Sequence, residues 1–192
     1  MTSTHSWRNL SPTEIAALAL DGELWRSQAT VCETDTPDDA MSRISFARTH
    51  CPRDTIFART SAAWIWDAFD RIPSRWTVTS RTKARLATIP NQHFVVCDLK
   101  LEAADVVNVN ESFVTSPTRT AIDIARYETA LPEPTVVDII RRLLATASGH
   151  TDQGLEIYEQ VSQSRHLPYK QRCLERLARA TAVQPSLTRY TS

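Results

Sequence analysis

The chain of 192 residues has only three glycines, Gly22, Gly149 and Gly154, and none sits in a phosphate-cradling loop pattern. Nucleophile elbows and HExxH sequences are missing too, so no catalytic motif is recognisable and a non-enzymatic protein is expected. The four cysteines (Cys32, Cys51, Cys97, Cys173) lie far apart, without the two-to-four-residue spacing of a zinc site, and the five histidines are equally dispersed. No metal or other cofactor is therefore expected, and the thiols read as reduced and mostly buried. No apolar run approaches the ~18 residues of a membrane helix, and the first ten residues lack an apolar signal core, so a cytoplasmic protein with no membrane partner is expected. Net charge is zero as well, but it is unevenly spread. Residues 1–70 carry 6 basic and 10 acidic groups, residues 71–127 carry 8 and 5, and residues 128–192 carry 8 and 7. A polyanion would meet the middle and end of the chain.

What is present is 42% apolar residues in patterns that fold. Residues 1–9 are expected to fray. Ser11-Pro12-Thr13-Glu14 is a helix start, with Ile15, Leu18, Leu20 and Leu24 as its apolar face and Asp21-Gly22 as its stop. Leu24 to Cys32 reads as one short strand. A second helix, about 38–50, carries Met41, Ile44 and Ala47 at spacing three. A short apolar element spans 54–58, and an apolar helix spans Thr60 to Phe69 with Trp64, Ile65 and Phe69 as core candidates. Strands follow at Trp76–Thr79, at His93–Cys97 as a buried run, and at Asp105–Val109. Asn110-Glu111 then makes a tight connection to the strand Ser112–Thr115. Three helices complete the chain: from Pro134 to near Gly149; from a cap at Thr151 or Asp152 with Leu155, Tyr158 and Val161; and from Pro168 with Cys173, Leu174, Leu177 and Ala180.

The best-specified segment is Thr115 to Arg126. Ser116 caps a helix whose first residue is Pro117, and Ala121, Ile122 and Ala125 form its apolar stripe, with Ile124 off it. Arg119 and Asp123 lie four apart on one face, and either a structural ion pair or a recognition pair fits that spacing. Two stretches could contact phosphates. Residues 71–85 hold Arg71, Arg75, Arg81, Lys83 and Arg85 with no acidic group. The last helix places Arg172, Arg176 and Arg179 on one face. A solvated basic surface is the plainer reading of both.

The segment Val114-Thr115-Ser116-Pro117-Thr118-Arg119-Thr120-Ala121-Ile122-Asp123-Ile124-Ala125-Arg126 resembles the "VTSPARTLxDLAR" stretch of AbiEi-type antitoxins of type IV toxin–antitoxin systems, especially short actinobacterial members. Ser61-Ala62-Ala63-Trp64 is similar to that family's "SAAxLHG" helix, although Ile65-Trp66-Asp67 stands where leucine, histidine and glycine are usual. Trp76-Thr77-Val78-Thr79 is similar to its "hVTVP" strand, and the arginine-bearing last helices also fit. The resemblance covers most of residues 54–180. It implies an α+β protein in which a degenerate, truncated winged-helix-like segment (1–52) precedes an antitoxin domain (53–192). That domain would comprise a small mixed sheet with helices (53–127) and C-terminal helices (128–192). It also implies a transcriptional regulator that binds promoter DNA and neutralises a nucleotidyltransferase-like toxin. In that reading the motif residues Thr115, Ser116, Pro117, Arg119, Asp123 and Arg126 are structural. Residues 24–32 keep Arg26 but not the family's basic wing or its glycine. One alternative is a Mg²⁺-dependent nuclease, because Asp98-Leu99-Lys100 resembles the acidic-x-Lys element of restriction-type nucleases, with Asp67 or Asp70 as a second acid. Another is a degenerate protein-interaction module without DNA binding.

Overall fold

The computed structural model describes residues 11–21, 24–26, 31–33, 38–81, 93–147 and 153–181. Residues 1–9, Gly22, Lys83, Arg85, Gly149, Thr151 and Asp152, all named above, lie outside the described residues, as do the side chains of Ile15 and Leu24. The chain is α+β, with seven helices and a five-stranded mixed sheet among the described residues.

Helix α1 (Pro12–Leu20) starts as its sequence dictates. The Ser11 hydroxyl accepts from the Glu14 N–H, and Glu14 accepts from the Ser11 N–H at 2.7 Å. Leu20, placed on the apolar face by spacing, is 89% exposed. The single strand expected over 24–32 is instead an antiparallel pair, β1 (Leu24–Arg26) and β2 (Val31–Glu33), in register Trp25↔Cys32. Helix α2 (Ala40–Arg48) is capped by Asp39. It buries Ile44 and Ala47 and leaves Met41 54% exposed. Those two residues pack with Phe57, Trp64, Trp76 and Val78, so α2 shares a core with the segment beyond the expected boundary at residue 52.

Strand β3 (Thr55–Phe57) leads into α3 (Arg59–Ile65), and β4 (Trp76–Ser80) and β5 (Phe94–Val96) follow. After a 3₁₀ turn at Ala103–Asp105, β6 (Val106–Val109) and β7 (Ser112–Thr115) form a two-residue hairpin in register Val109↔Ser112. Its Asn110 and Glu111 have φ of 47° and 58°, the left-handed pair that such a turn requires. The sheet order is β5-β4-β3-β7-β6, parallel at β5/β4 and β3/β7 and antiparallel elsewhere. The buried run expected at 93–97 is thus an edge strand. Val95 and Val96 point to opposite faces and are 39% and 41% exposed, so only Cys97 at its end is buried.

Helix α3 is shorter than its apolar pattern because a Schellman motif stops it. Asp67 (φ 59°) takes the left-handed position, its N–H reaching Trp64 O and that of Ala68 reaching Ala63 O at 2.8 Å. This is where the resembled motif carries glycine. Ser61 through Ile65 are all buried, because α3 faces the sheet with Ala62, Trp64 and Ile65 and the helical layer with Ala63.

That layer is α4 (Pro117–Tyr127), α5 (Glu133–Ala147), α6 (Gln153–Gln163) and α7 (Lys170–Thr181). Its core holds Ala121, Ile124, Ala125, Val136, Ile140, Leu143, Ile157, Val161, Cys173 and Leu177. Ile124, read as off the stripe, is fully buried, while Ile122 is only partly so. In α6 the buried face is Gly154, Ile157 and Val161, and Leu155 is 59% exposed. A Cβ at Gly154 would stand 2.6 Å from Thr181 Cγ2, so α6 and α7 meet there at glycine-only distance. None of the described helices is long and apolar enough to cross a membrane.

Candidate nucleic-acid interface

The strand-to-helix junction at Thr115–Arg126 is an internal lock. The Thr115 carbonyl accepts from Trp66 Nε1 at 2.8 Å, and the Thr115 and Thr120 hydroxyls lie 2.7 Å apart. The Ser116 hydroxyl caps α4 by accepting from the Arg119 N–H. Arg119 bridges Asp105 at 2.7 Å and Asp123 at 2.9 Å, and Arg126 Nη1 lies 3.7 Å from Asp123. Asp123 is fully buried. Burial pushes its carboxyl up from the ordinary range against the pull of Arg119, Arg126 and Arg59. The motif ties β7, the 3₁₀ turn, α3 and α4 together, and its ion pair faces inward.

The proposed phosphate contacts divide by what surrounds them. Arg176, expected on an exposed basic face, is 5% exposed. It donates to Glu133 at 2.7 and 3.0 Å and to the carbonyls of Ile124, Ala125 and Glu128 at 3.4, 3.1 and 2.8 Å. The spacing of Arg172, Arg176 and Arg179 does put them on one face. That face turns toward the C-terminus of α4 and the first residue of α5, so the three do not form a free stripe. Arg179 shares Glu133 at 3.2 Å. Arg172 donates to Arg126 O at 3.4 Å, and its guanidinium lies over the Tyr169 ring at 5.2 Å.

Arg71, Arg75 and Arg81 are exposed. Arg75 precedes β4 and reaches Phe94 O at 3.5 Å; Arg81 follows β4, its guanidinium 4.1 Å from the Phe113 ring. The five residues of β4 lie between them, six steps of strand or about 20 Å, so they bracket the sheet rather than converge.

A cluster that sequence reading missed lies where α3, α4 and the start of α7 meet. The guanidiniums of Arg59 and Arg126 lie 4.6 and 4.5 Å from the Tyr127 ring centroid, and Tyr127 meets Tyr169 edge-on at 5.7 Å. Its traces in the sequence are the adjacent Arg126-Tyr127 and the spacing of Tyr169 and Arg172, one helical turn apart, but nothing local joins either to Arg59.

Asp98 and Lys100 are exposed beyond β5. The two acids named as partners are engaged elsewhere, Asp67 with Arg43 and Asp70 with Arg142, each at 2.7 Å. Among the described residues no three His, Cys, Asp or Glu side chains converge to hold a metal. Cys51, Cys97 and Cys173 are free thiols, pushed by burial to about 12, about 11 and about 11. No family model matches the chain, and no curated protein matches it.

Proposed function

We propose that the protein is a non-enzymatic regulator of the AbiEi antitoxin type, which binds DNA, a nucleotidyltransferase-like toxin, or both. The observation supporting a polyanion partner is the environment of Arg59, Arg81 and Arg172. Each guanidinium lies against an aromatic ring, and none has a carboxylate within ion-pair distance among the described residues. By contrast, Arg43, Arg119, Arg142, Arg176 and Arg179 are each neutralised by a named acid. A ring holds a guanidinium in place without cancelling its charge, so these three remain available to phosphates.

The test is a gel-shift titration of the DNA upstream of its own gene, run beside an unrelated fragment of equal length. Arg81→Ala/Arg172→Ala should bind either fragment several-fold more weakly than wild type. Equal binding by wild type and the double variant, or no binding by either, removes DNA from the proposal. The toxin arm is tested by co-purification with a nucleotidyltransferase-like product of the adjacent gene. If both arms fail, the antitoxin reading is lost.

A further inference from the structure

Helix starts call for an extended residue at the cap and right-handed residues after it. Two helices here begin otherwise. Arg59, the first residue of α3, has φ 50°, and Tyr169, just before α7, has φ 58°. The other left-handed residues are accounted for by turns: Asn110 and Glu111 in the hairpin, Asp67 at the helix stop. Tyr169 follows Pro168 in a turn closed by the Lys170 N–H on Leu167 O at 3.2 Å, and only Arg59, at the first position of a helix, has no such reason; as bulky side chains both hold this conformation at a cost. Both belong to the same cluster. Arg59 Nε is buried with no hydrogen-bond partner, and Tyr169 remains 57% exposed although held by Tyr127 and Arg172.

We infer that Arg59, Tyr127, Tyr169 and Arg172 form a binding site for a nucleoside phosphate, presented by a single nucleic-acid strand or as a free nucleotide. The exposed Tyr169 ring offers a stacking face for a base, and Arg59 and Arg172 flank the ring pair with guanidiniums for the phosphate. Arg126 plays a different part. Its side chain donates to Pro168 O at 3.0 Å and to the Tyr127 hydroxyl at 2.7 Å, and so fixes the platform from beneath. The nearby carboxylates are ion-paired with other arginines, Asp123 with Arg119 and Arg126 and Glu133 with Arg176 and Arg179, so neither forms an ion pair with Arg59 or Arg172. A duplex would not reach a stacking face of this kind, because its bases are paired. The site therefore reads an unpaired base. The inference rests on the polyanion reading for Arg59 and Arg172 but takes nothing from Arg81 or the sheet rim.

The experiment is fluorescence anisotropy of a labelled oligothymidylate of about ten nucleotides titrated with full-length protein. Wild type should bind it, and Tyr169→Ala and Arg172→Ala should each weaken binding about tenfold. Tyr169→Phe, which keeps the ring, should bind as wild type does. Thermal midpoints of the variants should stay within about 4 °C of wild type, so that lost binding is not lost folding. Competition by thymidine monophosphate assigns the site to free nucleotides; its failure assigns it to a strand. No binding of the oligonucleotide, or binding indifferent to Tyr169→Ala and Arg172→Ala, overturns the inference. Duplex binding that survives Tyr169→Ala beside single-strand binding that does not would separate this site from the rim.

Discussion

Replacing Arg176 by alanine should unfold the helical layer far more readily than replacing either of its arginine neighbours. Arg176 is buried, and its guanidinium serves Glu133 and three carbonyls at the end of α4. The carbonyls are not equal. Ile124 O also accepts from the Glu128 N–H at 3.1 Å, so the groups that lose most are Ala125 O and Glu128 O. A hydrogen bond from a charged donor is worth roughly 1.5–3 kcal/mol, and breaking a buried ion pair costs about 3–5 kcal/mol. The lower end applies, because the Glu133 side chain is 39% exposed and keeps Arg179. The expected loss is therefore roughly 3 kcal/mol. Arg179→Ala, whose partner Glu133 is 39% exposed, and Arg172→Ala, which gives up one long hydrogen bond of 3.4 Å to Arg126 O, should each cost under about 1 kcal/mol. Urea unfolding monitored by circular dichroism reads this directly. With a slope near 2 kcal/mol/M, Arg176→Ala moves the midpoint by about 1.5 M at unchanged slope. A midpoint for Arg176→Ala that matches those of Arg172→Ala and Arg179→Ala would refute the assignment of Arg176 to the fold.

Three further predictions follow the same logic. Glu133 is held below the ordinary glutamate range, chiefly by its hydrogen bond from Arg176 and then by the charges of Arg176, Arg179 and Arg172. Its contribution is thus complete above the unfolded-state value and disappears as pH falls through the folded one, so the stability gap between wild type and Glu133→Gln should close in acid urea melts. A gap that widens in acid would reverse the sign. Glu111→Gly places glycine at a left-handed turn position and should stabilise the protein by about 0.5–1 kcal/mol in the same assay, whereas a loss would show that the hairpin does not need that conformation. In a Cys32→Ser variant, the remaining thiols should react with a disulfide reagent at pH 8 only after denaturant is added, because burial suppresses their thiolates; fast labelling of native protein would contradict this.

Features that are local in sequence were legible there. The caps at Ser11 and Ser116, the Asn110-Glu111 hairpin and the Arg119–Asp123 pair each depend on residues within a turn or two of one another. Features set by distant packing were not. The apolar run at 93–97 shows nothing of its place at a sheet edge, which is decided by how β3 and β4 pair. Met41 and Leu155 fit helical spacing but lie outside the faces that α2 and α6 bury. Arg176 shares spacing with exposed neighbours, and only the position of α5's first residue brings Glu133 to it. The same holds for the candidate site. Arg81 was legible as a cation in a basic stretch, whereas Arg59, Tyr127 and Tyr169 come together across 110 residues of chain, from three different helix ends.

Arginines held by rings keep their charge for phosphates, and such contacts make affinity depend on salt. Measuring the affinity for promoter duplex across a salt series tests it most directly. Log K should fall linearly with log salt, and removing Arg81 or Arg172 should reduce the slope by about 0.9 for each phosphate that is no longer neutralised. An affinity that does not change with salt, or a slope unaltered by both substitutions, would contradict it.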